Sequence, residues 1–141
     1  SKRWMLPTRL VSIVVAGDPL PAKDRQFLTR KTIVSDGEHI LFFHSGGVIS
    51  IEENGDLLTD QRVISYTQVP ETEDILAKSA RFADIEDIRI ERSRSPFEDT
   101  KVTIITRNGP EFDLVLPVAG KGDQRFVDKL SILWNTAKVK K

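Results

Sequence analysis

The sequence predicts one mainly β (α+β) domain: an antiparallel sandwich or barrel of about seven strands, closed by a C-terminal amphipathic helix. Several short stretches alternate apolar and polar residues, and Asn-Gly pairs at 54–55 and 108–109 separate such stretches. Beyond residue 117 the apolar period becomes that of a helix. At 141 residues without cysteine, the chain is about one domain long and relies on a hydrophobic core rather than on disulfides.

The first part of the chain is predicted to be an extension. "LVSIVVAG", residues 10–17, is too short to span a membrane and must pack on its own domain or on a neighbour. Pro21 then begins a short helix in "PAKDRQFLTRKTIV", which we expect to stop at Gly37. Because the chain begins at Ser1, "SKRWMLP" is either a tag remnant before a native strand, which we favour, or a cut juxtamembrane segment.

The first strands follow this extension. "HILFFHS" is apolar on both faces, so we expect it to be covered on both sides. "VISIEE" alternates, and a type I′ turn at Asn54-Gly55 is predicted to join it to the next run. That run has its own break at Thr59-Asp60, with a short pairing before the break and a main strand over 62–68.

The second half is predicted to contain further strands and the closing helix. "PETEDILAKSARFA" fits either a surface crossing or a short edge strand near 77–81. "DIEDIRIERS", "KVTIIT" and "EFDLVLP" are strands, the last two joined at Asn108-Gly109, and short connections make the sheet antiparallel. Asp123 or Gly122 is expected to cap the final helix. Its apolar stripe consists of Phe126, Leu130, Leu133, Trp134 and Ala137.

Two segments resemble bacterial pleckstrin-homology-like (PH-like) domains. They are "GEHILFFHSGG", which begins with Gly37-Glu38, and "GDLLTDQRVISY", which carries Arg62 and Tyr66 in an LLT..R.I.Y pattern. A strand meander closed by a helix with a buried-face Trp is similar to the PH superfold. The resemblance covers roughly 35–137, so we divide the chain into an N-terminal extension, 1–34, and a PH-like domain, 35–141.

The resemblance implies a scaffold for binding rather than catalysis, and bacterial PH-like domains lack an agreed ligand. Eukaryotic members that bind phosphoinositides use a basic cluster in the loop between the first two strands. The matching stretch here, "FFHSGGVIS", contains no Lys or Arg, so no phosphoinositide site is evident.

Charge and composition narrow the classes of partner. The 21 basic and 21 acidic residues balance, so no overall field steers the chain toward nucleic acid, although both ends are basic. We predict a non-enzymatic binding or assembly module whose partner is protein, self or other, bound through strand edges or the N-terminal segment. The alternatives are an anionic-lipid-binding domain of a larger membrane-associated protein, and a small-ligand-binding β-barrel or hydrolase. We expect a cytoplasmic location, or membrane association through a parent protein or partner.

No catalytic, cofactor-binding or metal-binding residues are predicted. His39 and His44 point to opposite faces of one strand, which opposes a shared metal, and the acidic run over 84–91 is a solvated face. "RSRSPF" and "GKGDQRF" are favoured as an exposed loop and a helix start, but could contact an anion or an acidic partner. The candidate contact residues are Arg92, Arg94, Gly120 and Gly122. The candidate assembly segment contains Trp4, Leu10, Val11, Ile13 and Val14.

Overall fold

The computed structural model describes residues 13–17, 20–47, 50–92 and 98–140. It contains eight strands and two α-helices, with short 3-10 turns over Phe82–Asp84 and Ala119–Lys121. In chain order the elements are β1 (Val15–Ala16), α1 (Ala22–Arg30), β2 (Ile40–His44), β3 (Asn54–Thr59), β4 (Arg62–Gln68), β5 (Ile75–Arg81), β6 (Ile85–Glu91), β7 (Thr100–Thr106), β8 (Phe112–Leu116) and α2 (Gly122–Val139).

The strands form two antiparallel sheets that pack as a sandwich. The larger sheet has the order β1-β2-β3-β4-β5, and the smaller sheet has the order β6-β7-β8. The predicted mainly β fold with a C-terminal helix is confirmed, as a sandwich and not as a closed barrel. The ambiguous segment before β6 forms β5, a strand at the edge of the larger sheet.

The hydrophobic core has two parts, one on each face of the larger sheet. The part between the sheets includes Leu58, Val63, Ile104 and Leu114, and α2 contributes Phe126 to it. The part on the outer face is covered by α1 and contains Phe27, Leu28, Ile33, Val34, Ile40, Phe43, Ile51, Leu57, Ile64 and Tyr66. The larger sheet is therefore covered on both faces, as "HILFFHS" predicts.

α1 belongs structurally to this outer part of the core. Phe27 is 4% exposed and Leu28 is fully buried. Thr32 has a φ of 57°, and the N–H groups of Ile33 and Val34 both bond to the Leu28 carbonyl at 2.9 and 3.2 Å. The helix thus ends at Arg30, well before Gly37, because the chain turns these two apolar residues into the core. The division of the chain at residue 34 stays a prediction.

The predicted hairpin turn at Asn54-Gly55 is wrong. Both residues lie inside β3, where they pair with Thr67 and Tyr66 of β4. Neither has a positive φ, and residues 51–53 form a turn instead of the end of a strand. The chain reverses direction after Thr59, where the sequence shows its second break.

A close side-chain contact explains why glycine occupies position 55. A Cβ atom there would lie 2.5 Å from Cε1 of the Tyr66 ring. The Tyr66 hydroxyl donates a hydrogen bond to the Ile51 carbonyl at 2.7 Å, which holds the ring in this position. Gly55 therefore provides space for an aromatic ring rather than conformational freedom for a turn.

The second Asn-Gly pair does join two strands, since β7 and β8 form the predicted antiparallel hairpin. The connection spans residues 107–111, and neither Asn108 nor Gly109 has a positive φ. The Gly109 N–H donates to Oγ1 of Thr106 at 3.0 Å. This is a longer loop held by a side-chain bond, not a two-residue type I′ turn.

α2 carries the predicted apolar stripe against the core. Phe126 and Leu130 are fully buried, and the rest of the stripe is partly buried. The predicted cap differs, because Lys121, with a φ of 58°, occupies the N-cap position. The Asp123 carboxylate instead accepts a hydrogen bond from the Thr100 hydroxyl at 2.7 Å, which ties the start of the helix to β7.

Candidate functional site

The residues that carry the PH-like pattern form a buried ion pair. Arg62 donates from Nε and Nη2 to the two carboxylate oxygens of Glu38, both at 3.0 Å. The Thr59 hydroxyl donates to the same carboxylate at 2.6 Å, and the Ser35 backbone N–H donates at 2.9 Å. The cluster joins the turn before β2 to the β3–β4 hairpin, so these pattern residues fix the fold.

Burial alone would raise the pKa of Glu38, since a buried carboxylate is costly to ionise. The hydrogen bonds from Arg62, Thr59 and Ser35 outweigh this effect, and the pKa of Glu38 lies below its usual value of 4.5. Glu38 is therefore ionised in the folded protein at neutral pH, and every bond it makes is internal to the domain.

A cleft opens where β3 and β4 of the larger sheet meet β8 of the smaller sheet, and we call it the acidic cleft. It has a volume of about 490 Å³ and is bordered by three carboxylate residues, Asp56, Asp99 and Asp113. None of its described lining residues is Lys or Arg. A smaller recess of about 280 Å³ shares Ser65 and Asp113 with it, so the two adjoin.

A polar network stands at the base of the acidic cleft. His44, Asp56 and Ser65 lie opposite one another on β2, β3 and β4. Asp56 contacts His44 Nδ1 at 3.3 Å and accepts a hydrogen bond from the Ser65 hydroxyl at 3.0 Å. The Val115 backbone of β8 also bonds to Asp56, which connects the two sheets.

Burial raises the pKa of Asp56, and the bonds from His44, Ser65 and Val115 only partly oppose this effect. Although serine, histidine and aspartate meet here, their order differs from that of a hydrolytic triad. In a triad the histidine lies between the other two and accepts the serine proton. Here the carboxylate lies in the middle, and Ser65 donates to it. The network supports packing between the sheets and does not activate Ser65 as a nucleophile.

A free strand edge lies beside the adjoining recess. In the described residues, β5 pairs with β4 and with no other strand. In an antiparallel pair, alternate residues direct both backbone groups at the partner. The Val69 N–H donates to the Asp74 carbonyl at 2.9 Å, and the same register continues through β5. Leu76, Lys78 and Ala80 therefore bond to β4. The backbone groups of Ile75, Ala77 and Ser79 point away from β4. Arg81 is the N-cap of the 3-10 turn over Phe82–Asp84, so its carbonyl accepts the first bond of that turn.

The edge strand β6 of the smaller sheet is partly occupied. The indole Nε1 of Trp134 donates to the Ile85 carbonyl at 3.0 Å. The Asp87 carboxylate accepts the Ile88 backbone N–H at 2.9 Å. Among the described edges, β5 thus offers a longer row of available backbone groups than β6 does.

The predicted contact residues are partly brought together at the start of α2. Arg92 Nη1 lies 3.3 Å from Oδ2 of Asp123. Gly122 is buried in the first turn of the helix, and Gly120 is exposed with a φ of 61° just before it. Arg94 lies outside the described residues. The anion contact stays a prediction, and an external anion would compete with Asp123 for Arg92.

The described end of the predicted assembly segment packs on its own domain. Val14 is 1% exposed in the core between the sheets, and a Cβ on Gly122 would lie 2.8 Å from its Cβ. Arg125 donates to the Val14 carbonyl at 3.3 Å, and Ile13 is half-buried. Three further residues of the segment lie outside the described part: Trp4, Leu10 and Val11.

Two further features of the described residues concern metals and membranes. They contain no group of three or more His, Asp or Glu side chains placed to hold a metal ion. No helix among them is both long enough and apolar enough to cross a lipid bilayer.

Sequence reasoning missed the acidic cleft, and it left the edge strand near 77–81 as one of two alternatives. The network of His44, Asp56 and Ser65 depends on the register of three strands, and the misplaced Asn54-Gly55 turn hid that register. Asp113 reaches the cleft from β8, and Asp99 reaches it from the loop between β6 and β7. The alternating polar residues of β5 were a usable signal for an edge strand, but they fitted a surface crossing equally well.

Comparisons with known proteins bear on the fold. No family model and no curated protein matches the chain. A DUF1696 family protein with a pleckstrin-homology domain from Shewanella loihica PV-4 matches with a TM-score of 0.61 and 15% identity, over 86% of this chain and 96% of that chain. A pleckstrin homology domain from Shewanella amazonensis SB2B matches with a TM-score of 0.53 and 15% identity, over 81% of this chain and 86% of that chain. The fold is PH-like, as in these bacterial proteins, and the resemblance noted in the sequence is confirmed at the level of the fold.

Proposed function

We propose that this PH-like domain is a non-enzymatic protein-binding module, in which β5 accepts an extended segment of a partner chain. The observation that carries the proposal is the outer edge of β5. Three outward-pointing residues, Ile75, Ala77 and Ser79, alternate with residues that bond β4, and they present both their N–H and their C=O groups. An added strand can pair with such a row, and main-chain bonds then supply much of the affinity.

The side chains of β5 are compatible with close approach of a second strand. Ala77 and Ser79, whose backbones point outward, are small, so they leave room for a partner's side chains beside them. Leu76 is 53% exposed and provides an apolar contact surface on the face toward the acidic cleft. Lys78 and Arg81 are charged residues of the kind that keep natural edges from pairing indiscriminately. The edge therefore favours a selected partner over general aggregation.

The absence of an enzymatic role is part of the same proposal. The His44, Asp56 and Ser65 network is the described cluster with the residue types of a hydrolase, and its carboxylate occupies the central place. The partner is either another copy of the chain or a different protein, and the same edge serves both cases.

Proline at position 77 tests the edge directly. It would remove an outward N–H and leave the bonds to β4 in place, so the domain should stay folded while strand addition is lost. Lys78→Pro is the matched control, since it removes an N–H that bonds β4 and should destabilise the sheet. Thermal unfolding of the two variants checks this difference before any binding measurement.

Partner binding is measured with a photo-crosslinking amino acid that replaces Leu76. The same amino acid at Val139, which is 85% exposed on α2, is the positional control. We expect a discrete protein adduct at position 76, absent at 139 and lost on adding Ala77→Pro. Native mass spectrometry of the uncrosslinked chain separates self-association from binding to another protein. Adducts that persist in the Ala77→Pro background would refute strand addition at β5.

A further inference from the structure

We infer that the segment accepted by β5 is basic, with a Lys or Arg side chain that reaches the recess beside the acidic cleft. This inference rests on the proposed function and adds the chemical class of the partner. The occupant we assign is an extended, positively charged segment of a partner protein.

Strand geometry connects the edge to the cleft. Side chains alternate between the faces of a sheet, so every second residue of an added strand would project toward the smaller sheet. On that face of β5, Leu76 and Lys78 border the recess, together with Glu111 and Asp113 from the opposite side. A long side chain on the added strand would therefore extend over the recess toward the cleft.

The negatively charged residues that line the cleft and the recess favour a positively charged side chain on the added strand. Asp99 and Asp113 are exposed at the rim of the cleft, and Asp56 is 8% exposed at its base. Among its described lining residues, the recess adds Glu111 and one cation, Lys78. A guanidinium or ammonium group would offset this excess of carboxylates, and its long apolar stem would pack over Leu76, which is 53% exposed.

A neighbouring cation responds to the same carboxylates. The pKa of Lys101 on β7 is raised, chiefly through its hydrogen bond and ion pair with Glu91, and further by the charges of Asp113 and Glu111. An anionic headgroup or phosphate would meet three carboxylates in the cleft and no Lys or Arg among its described lining residues.

The test uses two fluorescent peptides of alternating β-forming residues, identical except that one carries Lys and the other Glu at every second position. Their affinities for the full-length chain are measured by anisotropy at low and high salt. The test variant is Asp99→Asn/Asp113→Asn, which keeps size and hydrogen-bonding capacity. Asp36→Asn/Asp128→Asn is the matched control, since it removes the same charge from two exposed residues on other surfaces.

We expect the chain to prefer the Lys peptide, and Asp99→Asn/Asp113→Asn to weaken its binding by about two- to five-fold per charge removed. The control pair should leave this preference intact, and high salt should reduce it. Ala77→Pro should abolish binding of both peptides.

Other outcomes separate the inference from the proposed function. Equal binding of both peptides that is still lost in Ala77→Pro would overturn the basic partner and leave strand addition standing. Binding of neither peptide, or binding unaffected by Ala77→Pro, would overturn both. Deletion of residues 1–9, which contain Lys2, Arg3 and Arg9, gives a further outcome: if it tightens binding of the Lys peptide in wild type and not in Asp99→Asn/Asp113→Asn, the cleft belongs to the chain's own N-terminus, and a partner as its occupant is refuted.

Discussion

Removal of the Arg62 side chain should destabilise the domain more than removal of any ordinary exposed arginine. Arg62→Ala deletes two donors to Glu38 and a third to the Ile33 carbonyl at 3.1 Å. The Glu38 side chain is fully buried, so it would be left with the bonds from Thr59 and Ser35. Loss of one partner of a buried ion pair costs about 3–5 kcal/mol.

The expected cost lies near the lower end of that range. The Arg62 side chain is 24% exposed, so water can enter the space it leaves and hydrate part of the Glu38 carboxylate. We therefore expect a loss of about 3 kcal/mol in the free energy of unfolding. For a two-state domain, urea denaturation at neutral pH measures this loss as a shift of the midpoint at an unchanged slope.

Arg81→Ala is the matched control, because Arg81 lies directly opposite Arg62 on β5 and is exposed. Its removal should change stability by no more than about 0.5 kcal/mol. A double variant, Glu38→Met/Arg62→Met, should be more stable than the sum of its single changes implies, since it leaves no unpaired buried charge. Equal losses in Arg62→Ala and Arg81→Ala, or additive single changes, would refute the structural role assigned to the pair.

Three further predictions concern pH and close contacts. The folded-state pKa of Glu38 is below 4.5, so its stabilisation is present above that value and is lost as pH falls through the lowered pKa. The urea midpoints of Glu38→Gln and wild type should therefore converge as pH falls below 4.5. Gly55→Ala forces the Tyr66 ring aside and should cost about 1–3 kcal/mol, a penalty that Tyr66→Leu should largely remove in a double-mutant cycle. Gly122→Ala should lower the midpoint of thermal unfolding despite the better helix propensity of alanine, because the added Cβ would clash with Val14. Val14→Ala in the same chain should reduce or reverse this loss of stability.

Periodicity located the elements whose burial depends on one dominant face. β8 shows this best, since Phe112, Leu114 and Leu116 alternate with exposed residues along the strand. The stripe of α2 was equally readable, because a helical period of apolar residues has few other interpretations. The sequence did not predict which strands lie at a sheet edge or how the strands are aligned with one another, since both depend on which strand lies alongside. β5 illustrates this, as its exposed residues fit a loop as well as an edge.

The misplaced hairpin has a specific physical cause. The Thr59 hydroxyl accepts the backbone N–H groups of Gln61 and Arg62 at 3.0 and 3.1 Å, so a side chain shapes the turn that glycine was expected to form. Gly55 was wrongly assigned to a turn because the residue that requires a glycine there, Tyr66, lies on the next strand. A glycine chosen for close packing and one chosen for a positive φ look the same in a sequence.

This distinction also explains why the PH-like pattern says little about function. Glu38, Thr59 and Arg62 are far apart in the chain, yet they satisfy one another's polar groups inside the domain. A pattern built from such residues identifies the fold, because the fold requires the cluster. The residues open to a partner come from separate strands, as Leu76 and Asp113 do, and their proximity around one recess exists only after folding. Tests of function on this domain should therefore change β5 and the acidic cleft, and use the Glu38–Arg62 pair as the measure of whether the fold is intact.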